Sequence, residues 1–361
     1  MNGSSLRALP AQPLAEGTVA LGELALESGA RLEELEVAYQ TWGKPSREAI
    51  LVCHALTGSA DAADWWSGLI GPGRALDPEC DFIVASNVLG GCYGTTGPAS
   101  RSSNLARPYG PDFPDITVRD MVHAQARWLD AIGVDQLSLV VGGSMGGMLV
   151  LEWALLYPER VAAIAPIATS SAHSAWCIGT SSAQREAIRQ DPAWRGGYYG
   201  GGEGPQAGLD IARRIAMQSY RTRESFEERF SRDRAEGGGF EVESYLRYQG
   251  KKLNQRFDAN SYLTLTEAMD SHDVGRDRGG VEAALATIDQ PTLVVGIDSD
   301  GLYPLTEQRE LAELVPRAEL EIVSSMHGHD GFLIEDAEIG RRLLDFRRAL
   351  EEPPRRAACC S

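Results

Sequence analysis

The hydrophobic positions of the chain fall into short, almost wholly apolar runs separated by longer amphipathic stretches. The runs rich in valine, isoleucine and leucine predict buried strands at residues 49–53, 82–87, 137–141, 161–167, 292–297 and 318–323. Stretches with helical periodicity lie between or after them, at residues 118–132, 145–157, 305–314 and 335–350. Buried strands that alternate with helices indicate an α/β fold with a mainly parallel sheet and helices on both faces.

Two segments depart from this alternation. Residues 19–42 alternate loosely around a turn at 27–31, which predicts an N-terminal β-hairpin. Residues 173–284 contain no convincing strand and instead suggest several helices joined by glycine-rich linkers. We therefore predict an α/β core formed by residues 15–172 and 285–352, with the helical segment inserted as a lid over the carboxyl edge of the sheet.

Composition narrows the classes of partner. The chain has 361 residues and a formal net charge of −17, which argues against nucleic acid or an anionic membrane as a partner. Its six cysteines show no CxxC spacing and no clustering with histidine, so we expect neither a disulfide framework nor a metal site. The first 17 residues do not resemble a secretory leader, and no apolar run reaches membrane-spanning length. We expect a cytoplasmic protein that acts on small molecules.

The segment from Leu137 to Met148 is the most informative part of the chain. An apolar, β-branched run leads into Gly-Gly-Ser-Met-Gly at 142–146, and a helical pattern follows. A serine at a sharp turn between strand and helix is the setting of a nucleophile elbow. Small residues two before and two after it let strand and helix approach, and the helix N-terminus favours developing negative charge. The pattern predicts Ser144 as a nucleophile rather than an incidental serine in a glycine-rich turn.

A serine nucleophile needs a base, an acid that orients the base, and an oxyanion hole. In elbow folds the chain order is serine, acid, histidine. Two candidate acids, Asp298 and Asp300, follow the predicted strand at 292–297, and two candidate bases, His327 and His329, follow the next strand. Spacing alone does not choose within either pair, and one member of each pair is expected to be structural.

Two backbone N–H groups are expected to form the oxyanion hole. One belongs to Met145, the residue after the nucleophile. The other lies in the loop after the first central strand, His-Ala-Leu-Thr-Gly at 54–58, with Leu56 or Ala55 as the donor. His54 in that loop lies too early in the chain to be the base of this fold.

Seven motifs run in order over nearly the whole chain, including the predicted insertion. They are His-Ala-Leu-Thr-Gly (54–58), Asn-Val-Leu-Gly-Gly-Cys-Tyr-Gly-Thr-Thr-Gly-Pro (87–98), Gly-Gly-Ser-Met-Gly-Gly-Met (142–148), Ser-Tyr-Arg-Thr (219–222), Val-Glu-Ser-Tyr-Leu-Arg-Tyr-Gln-Gly-Lys-Lys (242–252), Arg-Phe-Asp-Ala-Asn-Ser-Tyr (256–262) and Gly-His-Asp-Gly-Phe-Leu (328–333). Through them the chain resembles the homoserine O-acetyltransferase family, whose members are acyltransferases with the α/β-hydrolase fold that activate homoserine for methionine biosynthesis.

The resemblance implies a choice within each open pair. The family's triad acid lies in an Asp-x-Leu-Tyr/Phe segment, which corresponds to Asp300, and its histidine lies in Gly-His-Asp, which corresponds to His329. It also implies that Asp330 receives the amino group of the substrate amino acid and that Arg221 binds its carboxylate. Both roles make physical sense, because a guanidinium binds a carboxylate in bidentate fashion. The alternative for Arg221 is a salt bridge to one of the lid's many acidic side chains.

The resemblance implies a ping-pong transfer of an acetyl group from acetyl-CoA, the co-substrate, to L-homoserine, by a homodimer that makes contact through the lid. No other cofactor and no metal is implied. Relatives that use succinyl-CoA carry an arginine two residues after the triad acid, where this chain has Leu302, so an acetyl donor is favoured. L-serine as the acceptor, a plain serine esterase and a non-catalytic binding protein of the same fold stay as alternatives.

Overall fold

The computed structural model describes residues 11–200 and 203–351. The predicted end of the core at residue 352 and the first ten residues of the segment searched for a leader lie outside the described residues. The described strands are β1 (Ala15–Ala25), β2 (Arg31–Trp42), β3 (Glu48–Cys53), β4 (Ile83–Ser86), β5 (Arg101–Ser102), β6 (Arg107–Pro108), β7 (Gln136–Gly143), β8 (Ile164–Ile167), β9 (Thr292–Ile297) and β10 (Ala318–Val323).

Eight of these strands form one sheet, in the order β1-β2-β4-β3-β7-β8-β9-β10, while β5 and β6 form a separate short ladder. β1 and β2 form the predicted antiparallel hairpin, and β2 pairs antiparallel with β4. The remaining neighbours are parallel, so the carboxyl ends of β3, β7, β8, β9 and β10 share one edge. The predicted mainly parallel sheet is confirmed.

Helices cover both faces of this sheet. Those of the described residues are α1 (Ala62–Trp65), α2 (Val118–Ala131), α3 (Met145–Leu156), α4 (Ala175–Arg189), α5 (Gln206–Tyr220), α6 (Arg223–Phe230), α7 (Glu241–Asn254), α8 (Ala259–Asp270), α9 (Val281–Leu285), α10 (Leu305–Leu314), α11 (Gly331–Ile334) and α12 (Asp336–Glu351). The four helices predicted from periodicity correspond to α2, α3, α10 and α12. The short helices α1 and α11 were not predicted, since one turn carries no periodic signal.

Burial on both faces explains the almost wholly apolar strands. In β3, Ile50 and Val52 pack in the same core as Leu343 of α12, whereas Leu51 and Cys53 pack in the core formed with α2 and α3. Alternate residues of a strand point to opposite faces, so a strand with helices on both sides has no face left for polar residues.

One predicted strand begins later than expected. The apolar run at 161–167 is a regular strand only from Ile164, because Pro158–Arg160 forms a 3-10 turn just before it. Val161 makes only an isolated bridge with Leu137. The hydrophobic run therefore marked most of these residues as buried, Ala162 being exposed, but not the start of β8.

Between β8 and β9 the described residues form helices α4 to α9 and contribute no strand to the sheet. The stretch before α4 and the stretch after α8 meet at an isolated bridge between Ala172 and Asp273, beside a 2.9 Å hydrogen bond from the His173 N–H to the His272 carbonyl. This neck closes at residues 172–173 and 272–273, before the predicted end at 284, and the division of the chain into a core and an insertion at 173–284 stays a prediction. No helix in the described ranges is long and apolar enough to cross a membrane.

Candidate active site

Ser144 lies at the turn between β7 and α3, at the carboxyl edge of the sheet. Its backbone has φ 58° and ψ −124°, with a positive φ that residues other than glycine rarely adopt. The Ser144 N–H donates to the carbonyl of Ile167 at 2.9 Å and so ties the turn to the end of β8. The turn therefore has the strained strand-to-helix geometry of a nucleophile elbow.

The glycines around Ser144 are required by close backbone contacts. A Cβ atom on Gly146 would lie 2.2 Å from the carbonyl oxygen of Cys53, and one on Gly142 would lie 2.6 Å from the carbonyl oxygen of Gly146. Neither distance leaves room for a side chain. The glycines two before and two after Ser144 thus let β7 and α3 approach each other and the end of β3.

Ser144, His329 and Asp300 form one hydrogen-bonded chain. Nε2 of His329 lies 2.9 Å from Oγ of Ser144, and Nδ1 of His329 lies 2.7 Å from Oδ2 of Asp300. All three residues are buried, with between 3% and 6% of their surface exposed. They come from the loops after β7, β9 and β10, and these loops meet because the parallel strands end at one edge of the sheet.

The hydrogen bonds of Asp300 determine where the protons lie in this chain. Its Oδ1 accepts the backbone N–H groups of Leu302, at 2.8 Å, and Tyr303, at 2.9 Å. An ionised carboxylate can only accept, so Nδ1 of His329 carries a proton and donates it to Oδ2. Nε2 of His329 is then free to accept the hydroxyl proton of Ser144, which is the arrangement of a general base.

The other member of each candidate pair has a different environment. Asp298 accepts hydrogen bonds from Oγ of Ser324 at 2.8 Å and from the N–H of Ser325 at 2.9 Å, so it ties the end of β9 to the end of β10. His327 lies beside Arg221, whose Nη1 donates to its Nδ1 at 3.3 Å. Neither side chain belongs to the hydrogen-bonded chain described above.

Backbone N–H groups without an acceptor lie on residues beside Ser144. Met145 is the first residue of α3, where an N–H group has no partner within the helix. The N–H groups of Leu56 and Ala55 donate to no acceptor among the described residues, and both residues line the same cavity as Ser144. The N–H groups of Met145 and Leu56 are thus available for the predicted oxyanion hole, with Ala55 still open as the alternative to Leu56.

His54 supports the loop that carries Leu56. Its Nε2 accepts the N–H of Val88 at 3.1 Å, so its Nδ1 carries the proton and donates to the carbonyl of Ala55 at 2.8 Å. Burial lowers the pKa of His54 to about 4, so its ring is neutral near pH 7. These contacts agree with the expectation that His54 is not the base.

A cavity of about 60 Å³ opens at Ser144. One wall comes from α5 of the helical segment, which contributes Arg213 and Tyr220. The ring of Tyr220 lies 5.6 Å from that of His329, and the guanidinium of Arg213 lies 5.4 Å from the Tyr220 ring. The helical segment therefore covers Ser144. Sequence analysis gave neither residue a role. Tyr220 lies in the Ser-Tyr-Arg-Thr motif, where only Arg221 was assigned, and an isolated arginine in a helix such as Arg213 carries no sign of the face it occupies.

Arg221 and Asp330, which were predicted to bind opposite ends of a substrate, face each other. Nε of Arg221 lies 2.7 Å from Oδ2 of Asp330, but its N–H is not directed at an acceptor, so the contact is an ion pair without a hydrogen bond. Nearby, Oγ1 of Thr222 donates to the carbonyl of Met326 at 2.6 Å. Asp330 lines the cavity at Ser144, whereas Arg221 does not. Arg221 thus joins the helical segment to the loop that carries His329.

A second cavity, of about 20 Å³, shares the walls formed by Leu56 and Tyr220. Leu302, which follows Asp300 by two residues, lines this cavity together with Cys177 and Tyr303. No lysine or arginine is present among the described residues that line it. The space next to the candidate site is therefore small and has no cationic side chain.

Larger cavities lie elsewhere. Two of them, of about 820 and 670 Å³, have walls that include none of Ser144, Asp300 and His329. Because the chemical groups converge at the small cavity, we place the candidate site there. Within residues 11–200 and 203–351, no three histidine, cysteine, aspartate or glutamate side chains are grouped to hold a metal ion. A reaction without a metal stays a prediction.

A family model described as alpha/beta hydrolase fold matches residues 48–336 of the chain. A relative from Trichormus variabilis, named homoserine O-acetyltransferase, is 54% identical over 329 residues, which cover 90% of this chain and 91% of the relative. The match extends through the helical segment as well as the core, since it covers nine tenths of both chains.

Solved structures agree with these sequence matches. The homoserine O-acetyltransferase from Bacillus anthracis superposes with a TM-score of 0.88 at 25% identity and covers 93% of this chain and 98% of that one. An acetylester hydrolase from Corynebacterium glutamicum superposes with a TM-score of 0.80 at 26% identity, over 92% and 96% of the two chains. The fold is therefore shared by acyltransferases and hydrolases, whereas the high sequence identity is to an acyltransferase. We conclude that the chain belongs to the homoserine O-acetyltransferase family and has the α/β-hydrolase fold.

Proposed function

We propose that this protein transfers the acetyl group of acetyl-CoA to the side-chain hydroxyl of L-homoserine through a covalent intermediate on Ser144. The observation that carries the proposal is the buried hydrogen-bonded chain of Ser144, His329 and Asp300 in a member of this family. Such a chain suits acyl transfer, in which a serine must lose a proton, attack a carbonyl and later be released.

In the first half-reaction, Nε2 of His329 takes the hydroxyl proton of Ser144 while Oγ attacks the thioester carbonyl carbon of acetyl-CoA. The N–H groups of Leu56 and Met145 stabilise the negative oxygen that forms. The carbon–sulfur bond then breaks, and CoA leaves with the proton that His329 held. An acetyl ester on Ser144 remains.

In the second half-reaction, the homoserine hydroxyl gives its proton to His329 and attacks the acetyl ester. The bond between the acetyl carbon and Oγ of Ser144 breaks, and His329 returns the proton to Oγ. Water would compete with homoserine at this stage, so the site has to exclude it. The cover formed by α5 and the low exposure of all three residues support such exclusion.

The surroundings of Leu302 support an acetyl rather than a succinyl donor. A succinyl group would bring a second carboxylate next to the acyl carbon, and burying an unpaired carboxylate is costly. The cavity beside Leu302 measures about 20 Å³ and has no lysine or arginine among the described residues of its wall. The cavity beside Leu302 therefore offers neither the space nor the countercharge that a succinyl group needs.

We assign the acceptor's carboxylate to Arg213 and its amino group to Asp330. Both side chains line the cavity at Ser144, and Arg213 forms no ion pair with a described residue. A zwitterionic amino acid needs one cation and one anion at its α-carbon end, and this pair supplies both. The assignment departs from the one implied by the family motif, which gave the carboxylate to Arg221. In our proposal Arg221 instead holds Asp330 in place through their ion pair.

Arg213→Lys should slow the second half-reaction and leave the first unchanged. Lysine keeps the charge but loses the planar, bidentate fork, so the acceptor's carboxylate is held less well. We expect kcat/KM for L-homoserine to fall about tenfold or more, which corresponds to one charge-assisted hydrogen bond. Release of CoA in the absence of acceptor should stay stoichiometric and proceed at the wild-type rate.

Arg221→Lys is the matched comparison, since it makes the same change eight residues further along the chain. We expect a smaller loss of kcat/KM for L-homoserine than in Arg213→Lys. A larger loss in Arg221→Lys than in Arg213→Lys would mean that Arg221 binds the carboxylate of the acceptor. Loss of CoA release in a folded Arg213→Lys protein would mean that Arg213 acts in the half-reaction with acetyl-CoA rather than in binding the acceptor.

An acetyl esterase is the second candidate, because the fold is shared with a protein named acetylester hydrolase. The two candidates share the chemistry at Ser144 but differ in what accepts the acetyl group. An esterase passes it to water and has no use for the charged side chains of Arg213 and Asp330 at the cavity. Their presence supports a charged acceptor.

A matrix of initial rates tests the proposal. Acetyl-CoA and succinyl-CoA are each combined with L-homoserine, with L-serine or with no acceptor. We expect the highest kcat/KM for acetyl-CoA with L-homoserine and, without acceptor, release of about one CoA per protein followed by only slow turnover. A higher rate with succinyl-CoA would mean that succinyl-CoA is the donor, and a higher rate with L-serine would mean that L-serine is the acceptor. Equal rates with and without amino acid would mean that the protein is an esterase.

Three further proposals rest on the resemblance to this family. We propose that the product serves methionine biosynthesis, that the protein acts in the cytoplasm, and that it is a homodimer joined through the helical segment. The mass of the purified protein in solution, measured by light scattering, tests the last of these.

A further inference from the structure

A second hydrogen-bonded chain, made of a hydroxyl, an imidazole and a carboxylate, adjoins Asp300. The hydroxyl of Tyr303 lies 3.1 Å from Nε2 of His173, and Nδ1 of His173 lies 2.8 Å from Oδ1 of Asp270. Nη2 of Arg185 donates to the other oxygen of Asp270 at 2.6 Å. This second chain, which we define as Tyr303, His173, Asp270 and Arg185, contains none of the residues assigned to the reaction.

Burial and hydrogen bonding leave one arrangement of protons in the second chain. Tyr303 is fully buried, and only 2% of the His173 side chain is exposed. Asp270 is paired with Arg185 and accepts, so Nδ1 of His173 is protonated and donates to it. Nε2 of His173 then accepts the hydroxyl proton of Tyr303. Burial raises the pKa of Tyr303 well above its usual value, so the hydroxyl remains a donor.

Tyr303 connects the second chain to the first at two points. Its backbone N–H is one of the two donors to Oδ1 of Asp300, at 2.9 Å. Its ring lies 5.2 Å from the ring of His329. A shift of Tyr303 would therefore move a hydrogen bond that orients Asp300 and a ring that packs on His329.

The residues of the second chain come from both parts of the fold, the core and the helical segment. Tyr303 lies in the loop after β9, in the core, whereas Arg185 lies on α4 and Asp270 is the last residue of α8, both in the helical segment. His173 lies at the neck between them. The position of the helices over Ser144 is thus linked by buried polar contacts to the orientation of Asp300.

We infer that His173, Asp270 and Tyr303 are positioning residues that hold Asp300 and His329 in register and make their alignment depend on the packing of the helical segment. The inference rests on the proposed function for the role of Asp300 as the triad acid. It predicts that removing the hydroxyl of Tyr303, which touches no reacting atom, lowers kcat/KM.

Tyr303→Phe removes that hydroxyl and keeps the ring. We expect kcat/KM to fall about tenfold, the size of one buried hydrogen bond, with KM nearly unchanged. The loss should appear in kcat, because a less firmly held Asp300 orients His329 less well without changing how the substrate binds.

The assay uses p-nitrophenyl acetate and follows p-nitrophenol release. This activated ester needs Ser144, His329 and Asp300, but neither CoA nor an amino acid. Failure of the proposed donor or acceptor in the rate matrix would therefore leave this test intact. Glu307 and Cys177 also face Asp300 and Tyr303, and burial, with a smaller effect from Asp300, raises the pKa of Glu307 to about 7. The variants are for this reason compared with the wild type at one fixed pH.

Tyr262→Phe is the matched control. Tyr262 is also fully buried in the helical segment, and its hydroxyl donates to Oε1 of Gln184 at 2.6 Å, away from Asp300. We expect its kcat and KM to stay within about twofold of the wild type. Circular dichroism and thermal unfolding of each variant establish that it is folded.

A double-mutant cycle joins Tyr303→Phe with His173→Ala. If the two residues act through their shared hydrogen bond, the double variant should be at most about twofold slower than the slower single variant. Losses that multiply in the double variant, a loss in Tyr303→Phe that appears in KM rather than in kcat, or equal effects in Tyr303→Phe and Tyr262→Phe would each overturn the inference.

Discussion

Ser144→Ala should abolish acyl transfer while leaving the fold intact. The substitution removes Oγ, the atom that lies 2.9 Å from Nε2 of His329, and with it the hydroxyl that His329 deprotonates. In a comparable serine hydrolase, loss of the nucleophile reduces kcat about a million-fold, and we expect a loss of at least about ten-thousand-fold here. Steady-state CoA release and the burst without acceptor should both disappear.

Ser86→Ala provides the matched control for that experiment. Ser86 is a fully buried serine of the same sheet, in β4, and its Oγ accepts a hydrogen bond from Gln125 at 3.3 Å. Its loss should cost some stability and little activity. Activity of Ser144→Ala within about tenfold of the wild type would mean that the elbow does not carry the nucleophile.

Asp300→Asn should be nearly as damaging, although it changes one atom. The two backbone N–H groups at Oδ1 require an acceptor, so the amide oxygen of the asparagine would take that place. Its NH₂ group would then face Nδ1 of His329 and force the ring into the tautomer with a proton on Nε2. That tautomer cannot accept the Ser144 proton. The corresponding change in a serine protease lowers kcat about ten-thousand-fold, and we expect a similar loss.

Asp298→Asn is the control two residues away. Asp298 accepts from Ser324 and Ser325 only, so an asparagine can keep at least one of these contacts. We expect kcat to stay within about threefold of the wild type and the midpoint of thermal unfolding to fall slightly. If Asp298→Asn were the more damaging of the two, the acid of the triad would be Asp298.

The fold and the central serine were predictable because they depend on local patterns. Short apolar runs separated by amphipathic stretches marked the strands, and the spacing of Gly142, Ser144 and Gly146 reflects backbone contacts that no side chain would allow. The choice between Asp298 and Asp300 was different. Both follow β9 on the chain, and only the direction of the loop, set by the N–H groups of Leu302 and Tyr303, turns one of them towards His329.

Contacts between the helical segment and the core could not be predicted from spacing. Arg213 and Arg221 lie on or beside one helix, and nothing in their neighbours along the chain shows that the first lines the cavity while the second pairs with Asp330. The same holds for His173 and Asp270, which are almost a hundred residues apart and meet through the folding of α4 and α8. Such contacts depend on how whole helices pack, which no short motif encodes.

The mass of the intact protein after mixing with acetyl-CoA alone tests the central claim most directly. Our account predicts that the protein gains one acetyl group, that peptide mapping places this group on Ser144, and that L-homoserine then removes it as O-acetylhomoserine. An unmodified protein that still forms O-acetylhomoserine, or an acetyl group located on another residue, would contradict the account.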